Sequence, residues 1–468
     1  MNIRQFISQA KLAVPLSLVF AASLIAGCSS NVAPSAATSI AGADLAVPVL
    51  ITDAPSDQLV AFTLTLNSIT LTDSAGKTTS ILSSPTTIEV CHLNGIQQAL
   101  VTASIAEDTY VSATITFSDP QITYINSSGQ PVVASPVLAT TSYTATFASP
   151  IVISNTNSSL LFDLLASQSV TISGTTVTVS PVFSVKAVPT ATATPPPSSQ
   201  NGTGMQQMGT VVSVSGATVV VEPGNGPNIT LTTNSSTVLQ GFSSLSALTA
   251  GDLVQIDFIV ESGGVYLATR IQLAPPPPGG QQPNQLNGPV TALTSTGFKM
   301  ALMQGIGPAV GPASSGAIYT VTTSSSTTFA ITPQFVSLTG LPFTPTFTAA
   351  NLTPGQTVGV TTSAISASAD TATATNVYLI PQTLSGTVAA ITTSGNYTVY
   401  TFTLASGSAF ASLSGATSVT VYTSTATTGM SATPIAVGSQ VRFNGLVFNT
   451  SGKFSMVAAV CPDGAPGA

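Results

Sequence analysis

The chain has 468 residues, of which 5% are charged, with 8 basic against 15 acidic side chains, a formal net charge of -7, one His, no Trp and three Cys. A length of this order allows about three domains. The scarcity of Lys and Arg excludes the clustered positive charge that binding to nucleic acid or an anionic membrane surface requires, and one His with three thiols leaves little stock for acid–base catalysis or a zinc site.

Arg4 and Lys11 precede an apolar run from Leu12 to Ile25, which has the length of a signal-peptide core and is too short to span a bilayer as a helix. The run ends in Leu24-Ile25-Ala26-Gly27-Cys28, which resembles the bacterial lipobox. The resemblance implies a signal peptide over 1–27, cleavage after Gly27 and lipidation of Cys28. At about 0.8 kcal/mol per buried methylene, the two or three acyl chains of a lipidated Cys hold a protein almost permanently on a membrane. Ser29, in place of Asp, implies by the same resemblance sorting to the outer membrane. Residues 28–43 read as a flexible tether.

Residues 44–186 form the first expected module, an antiparallel β-sandwich. Ala61-Phe62-Thr63-Leu64-Thr65-Leu66 and Thr176-Val177-Thr178-Val179 alternate apolar and hydroxyl residues at the strand period, with Gly, Pro, Asn and Ser at turn spacing. The opening Val47-Pro48-Val49-Leu50-Ile51-Thr52-Asp53-Ala54-Pro55, the turn Asp73-Ser74-Ala75-Gly76-Lys77 and the strand around Tyr110 resemble a lipoprotein domain family of unknown function that follows a lipobox and pairs two β-sheets. That resemblance supplies no catalytic residues.

Two Pro-rich stretches, 187–206 and 274–285, read as semi-rigid linkers, so the modules are expected to hang like beads. Between and after them lie three degenerate repeats, over 207–273, 286–381 and 383–462. Each opens on Gly and alternating strand residues: Gly209-Thr210-Val211, Gly288-Pro289-Val290 and Gly386-Thr387-Val388. Each later carries a Gly turn, Gly251-Asp252-Leu253-Val254, Gly355-Gln356-Thr357-Val358 and Gly438-Ser439-Gln440-Val441, and then a closing strand. A positive φ or a bulge is the expected reason for each Gly. The pattern resembles a bacterial envelope family of unknown function built from small repeated β-barrels. The fold class expected for the whole is all-β: a sandwich followed by three barrel-like repeats.

Candidate chemistry is sparse. Asp53 and Asp57, with Asp73, Glu107, Asp108 and Asp119 in the same module, allow either an oxygen-rich calcium site or ordinary Asx turns. As a carboxylate pair for glycoside hydrolysis they lack a Trp to line a sugar site. Cys91 and His92 are adjacent, and in a strand their side chains point to opposite faces, which argues against a nucleophile–base pair. Cys91 and Cys461 are the thiols left after lipidation, and export permits a disulfide between them. Gly305-Ile306-Gly307-Pro308 is not a dinucleotide loop, because Pro308 lacks an N–H and Gly316 to Val321 opens a strand where a helix should begin. The expectation is a non-enzymatic structural or binding module of the envelope, with its lipid anchor at Cys28, no cofactor and no bound metal, and an envelope glycan or protein as partner. The alternatives are a carbohydrate or protein receptor and a glycan-active hydrolase.

Overall fold

The computed structural model describes residues 44–461, apart from 55, 57, 83, 94–95, 155–157, 190–204, 224–226, 275–283, 308, 311–314, 332–335, 406 and 428–434. The signal sequence, Cys28, the tether, Asp57 and most of both Pro-rich stretches lie outside the described residues.

The first module is built from β1 (Asp44–Ala54), β2 (Leu59–Asp73), β3 (Thr78–Ser80), β4 (Thr86–Glu89), β5 (Gln98–Ala106), β6 (Asp108–Ile125), β7 (Pro131–Ala134), β8 (Val137–Leu138), β9 (Ser142–Ile153), β10 (Ser158–Leu165), β11 (Val170–Ser173), β12 (Thr176–Val179) and β13 (Phe183–Pro189). One sheet runs β13-β10-β1-β5; the other runs β3-β2-β6-β7, with β4 and β9 paired onto β2 and β6. Their facing residues, among them Val49, Ile51, Phe62, Leu64, Phe117 and Phe162, make one core. The expected sandwich is there, with one departure: β1 and β10 run parallel, from Val49 opposite Leu160 to Ala54 opposite Leu165. The chain reaches β10 only after crossing the other sheet, so no hairpin constrains the two to run antiparallel.

The repeats contain β14 (Met205–Ser215), β15 (Thr218–Pro223), β16 (Ile229–Thr232), β17 (Val238–Gln240), β18 (Leu253–Glu261) and β19 (Val265–Leu273) in the first copy. The second has β20 (Asn284–Thr294), β21 (Gly297–Ala301), β22 (Gln304–Ile306), β23 (Ile318–Thr322), β24 (Thr328–Ile331), β25 (Thr357–Ser366) and β26 (Thr371–Leu379). The third has β27 (Gln382–Ser394), β28 (Tyr397–Leu404), β29 (Ser418–Thr423), β30 (Gln440–Thr450) and β31 (Lys453–Val460). The opening strands begin one or two residues before the expected boundaries, and β13 runs three residues past 186.

All three copies close the same ring: β14-β15-β16-β19-β18, β20-β21-β23-β26-β25 and β27-β28-β29-β31-β30, each with one parallel pair between its third and last ring strands. Five strands closed in this way make a small barrel of the OB type.

The repeat signature has a physical basis. A bulge follows the opening Gly in every copy, after Val211, Val290 and Val388. The carbonyl of that Val accepts from the turn Gly, as Gly251, Gly355 and Gly438 each donate N–H at 2.8 Å. The turn glycines sit at φ 97°, 93° and 90°, a region that costs an L side chain strain. The opening glycines have a different reason: a Cβ there would strike the carbonyl of Glu222, Ala301 or Thr403 on the paired strand. The residue after the turn Gly accepts the N–H three positions earlier in each copy: Asp252 from Thr249 at 2.7 Å, Gln356 from Thr353 at 2.9 Å and Ser439 from Ala436 at 3.1 Å. Any short side-chain oxygen suffices, so the position varies.

The bead-like arrangement expected from the linkers is not what the structure shows. Leu50, Ala99 and Leu161 of the sandwich share a core with Val211, Val254 and Ile256 of the first barrel. Leu446, Phe448, Val457 and Ala459 of the third barrel complete the core of the second. Val60 and Ile125 meet Ala301 and Ala409. Polar ties cross the same junctions: Thr123 Oγ1 donates to the Gly316 carbonyl at 2.7 Å, and Gln356 Nε2 to that of Val447 at 2.8 Å. The cause is visible in β1, where Val49 and Ile51 face the sandwich core while Leu50 faces the barrel. A strand buried on both faces needs a neighbour on each.

Candidate functional site

Where the four modules meet they leave a cavity of about 450 Å³, within the range of roughly 300–1,000 Å³ common to small-molecule sites. The outward faces of the barrels supply much of its wall. In β14, Val211 points into the barrel core while Gln206 and Met208 turn outward into the cavity. Gln285 and Asn287 do the same from β20, and Thr383 from β27. In all three copies these residues lie one and three positions before the opening Gly, so one strand period delivers equivalent positions to one place.

Nine carboxamides line the cavity, and among the described lining residues there is no Asp, Glu, Lys or Arg. Gln285 Nε2 donates to Asn287 Oδ1 at 2.9 Å, and Asn287 Nδ2 to Gln304 Oε1 at 3.2 Å. Gly359 makes room for this chain, since a Cβ there would lie 2.9 Å from Asn287 Oδ1. Gln382 clamps the second barrel to the third, accepting from Thr357 N at 2.8 Å and donating to the Gly355 carbonyl at 3.0 Å. Apolar surface from Leu59, Val60, Met303, Ile331 and Phe410 fills the rest.

The sandwich contributes the turn after β4. Glu89 is 1% exposed and accepts the backbone N–H of Phe62, Cys91 and His92, at 2.9, 3.1 and 2.9 Å. Its second role is to hold the His92 ring, with Nδ1 3.0 Å from Glu89 Oε2, while Nε2 lies 2.9 Å from Gln98 Oε1. Cys91–Leu93 is a 3-10 turn, not a strand. That corrects the expectation that Cys91 and His92 face apart: both line the cavity. The His92 ring bonds to Glu89 and Gln98, and no hydrogen bond joins it to Cys91. Burial, then the charges of Glu89 and Asp53, push the Cys91 thiol well above its ordinary range, and both ring nitrogens of His92 are engaged.

Asp53 also departs from expectation. It lies in β1, 5% exposed, and accepts no hydrogen bond from the described N–H groups that follow it in β1 and the turn, so it is not the acceptor of an Asx turn. Burial pushes its pKa well up, Asp163 and Glu89 add to that, and the Ala166 N–H and Arg442 oppose it. Asp73 does behave as a turn residue, accepting Ala75 N and Lys77 N at 2.8 Å; Asp108 and Asp119 bond to neighbouring groups at the surface. Glu107 follows β5 and does not line the cavity. Among the described residues no group of three His, Cys, Asp or Glu is placed to hold a metal ion. Cys91 and Cys461 are not joined in a disulfide, and Cys461 lies in the core of the third barrel. Sequence reasoning missed Glu89, because alternation puts it on the strand face opposite Ile88 and Val90, which reads as a solvent face. It also missed the carboxamides, which replace Thr at outward positions of the opening strands.

Residues 208–272, the first barrel, match a family described as a domain of unknown function (DUF5666). No curated protein matches the chain. Among solved structures, one titled "drosophila Unr CSD456" aligns at 11% identity over 54% of this chain and 95% of its own, with a TM-score of 0.13. The fold assignment therefore rests on the strand order given above. Among the described residues no helix is long and apolar enough to cross a membrane.

Proposed function

We propose that this is a lipid-anchored, non-enzymatic binding protein of the bacterial outer membrane, whose four modules close around one ligand cavity. The observation that carries the binding reading is that cavity: all four modules wall it, and its carboxamides stand where these barrels otherwise present Thr to solvent. The lipobox ending in Cys28 supports the anchor, and Ser29 the destination. The engaged His92 ring and the protonated Cys91 thiol favour binding over turnover. A cavity of this volume suits a small molecule, such as a fragment of an envelope glycan, better than a folded protein.

Detergent partition tests the anchor: the wild-type chain should enter the detergent phase and Cys28→Ser the aqueous phase, and membrane retention of the variant would contradict it. Thermal unfolding against a library of uncharged small molecules tests the cavity. Ligands that stabilise the wild-type chain should fail to stabilise Met208→Trp, in which an indole occupies the space. Equal stabilisation of both would place binding elsewhere.

A further inference from the structure

The wall contributed by the first barrel differs from the others in leaving hydrogen-bonding groups unused. Met208, Gln255 and Gln272 form a row across β14, β18 and β19, with Met208 opposite Gln255 and Gln255 opposite Gln272. Direct register partners present their side chains on one face of a sheet, and all three line the cavity. Gln272 Oε1 is buried with no hydrogen-bond partner, and Gln255 Nε2 is buried with none of ordinary geometry, although its side chain acts on the Asp257 carboxyl two residues along β18 and lowers that group's pKa. A buried polar atom without a well-placed partner is costly, so two on one wall mark a place where a ligand group completes the bonding.

The corresponding row of the second barrel is Asn287, Gly359 and Tyr378. There the amides satisfy one another through the chain from Gln285 to Gln304. The contrast sets a direction within the cavity: one wall is already bonded, and the opposite requirement, one donor and one acceptor side by side, falls on Gln255 and Gln272.

Resting on the reading of this cavity as a ligand site, we infer that it recognises an uncharged secondary amide, whose carbonyl accepts from Gln255 Nε2 and whose N–H donates to Gln272 Oε1. Rotating both carboxamides by half a turn exchanges donor and acceptor and leaves the match to an amide unchanged, whereas rotating one alone would present two donors or two acceptors. The absence of charged groups among the described lining residues disfavours ions, which would lose their hydration without gaining a counter-charge. Met208, Leu253 and Val254 beside the pair offer an apolar flank. This chemistry is shared by acetamido sugars and by short blocked peptides.

The test is calorimetric titration of the Cys28→Ser chain with four probes: N-acetylglucosamine, N-acetylleucine methylamide, and their counterparts without an uncharged amide, glucose and leucine. At least one amide probe should bind at least tenfold more tightly than its counterpart, and which one does so separates a sugar from a peptide source. Gln255→Met and Gln272→Met, each near the size of Gln, should weaken that binding about three- to tenfold while the thermal midpoint stays at or above wild type. The inference is overturned if neither amide probe binds, if the amide confers no preference, or if both Met variants bind as wild type does. Glucose or leucine binding that Met208→Trp abolishes, without amide preference, would leave the cavity a site and remove only the amide. Binding indifferent to Met208→Trp would remove the cavity reading itself.

Discussion

Met208 and Asn287 occupy the same position in successive repeats, each immediately before its opening Gly, and they meet inside the cavity, with Asn287 Nδ2 3.7 Å from Met208 Sδ. Two barrels of one design thus face each other through equivalent residues. The position that would be solvent-exposed on an isolated barrel becomes a wall. A repeated module can build a shared site this way without any new element.

The two kinds of repeat Gly should respond differently to Ala. Gly438 sits at φ 90° with open space around its Cα, so Gly438→Ala should cost only the conformational strain, about 1–2 kcal/mol. Gly386→Ala drives a methyl into the Thr403 carbonyl, which requires the β27–β28 pair to part, and should cost clearly more, roughly the upper end of the 1–3 kcal/mol of an overpacked core or above. Urea unfolding of both variants checks the order.

Arg270 and Asp257 form a buried pair, with Nη2 2.6 Å and Nε 2.8 Å from Asp257 Oδ2. Burial still raises the Asp257 pKa, and Arg270 opposes it. Asp257→Ala removes the carboxylate that bonds this buried guanidinium and should destabilise the first barrel by about 3–5 kcal/mol. Replacing both residues, Asp257→Leu with Arg270→Met, should recover most of that loss in equilibrium unfolding.

Asp53 predicts a pH dependence of definite sign. A carboxyl whose folded pKa lies above its unfolded value, near 4, binds its proton more tightly in the folded chain. Its contribution is fully present below the unfolded value and is lost as pH rises through the folded one. The stability of Asp53→Asn relative to wild type should therefore grow as pH rises from about 4 toward neutrality. Urea unfolding at several pH values reads the difference, and a flat difference would mean that Asp53 is not held as a buried acid.

Much of the fold is legible in the sequence. The alternation in Tyr397-Thr398-Val399-Tyr400-Thr401-Phe402 becomes β28, and the ordered triplet of opening Gly, Gly turn and closing strand becomes three identical rings. The packing of the modules was legible only in a feature that alternation obscures: Val49-Leu50-Ile51 and Leu446-Val447-Phe448 are unbroken apolar runs, and each proves to be buried on both faces. Pro-rich spacers limit how chain segments connect and do not determine whether the segments they join adhere. The cavity was the hardest part to foresee, because its wall is assembled from single residues of four modules. No local motif carries it. Cys91 and His92 were misplaced for a local reason: the acceptor that winds them into a 3-10 turn, Glu89, precedes them in a strand and bonds their N–H groups.

The central claim is that sandwich and barrels close on one another around a shared cavity. Small-angle scattering from the Cys28→Ser chain measures this directly. A compact particle the length of residues 44–461 has a radius of gyration of about 22 Å, and the account predicts a value near that, unchanged with ionic strength. A radius roughly half again as large, with the profile of separate beads, would contradict it.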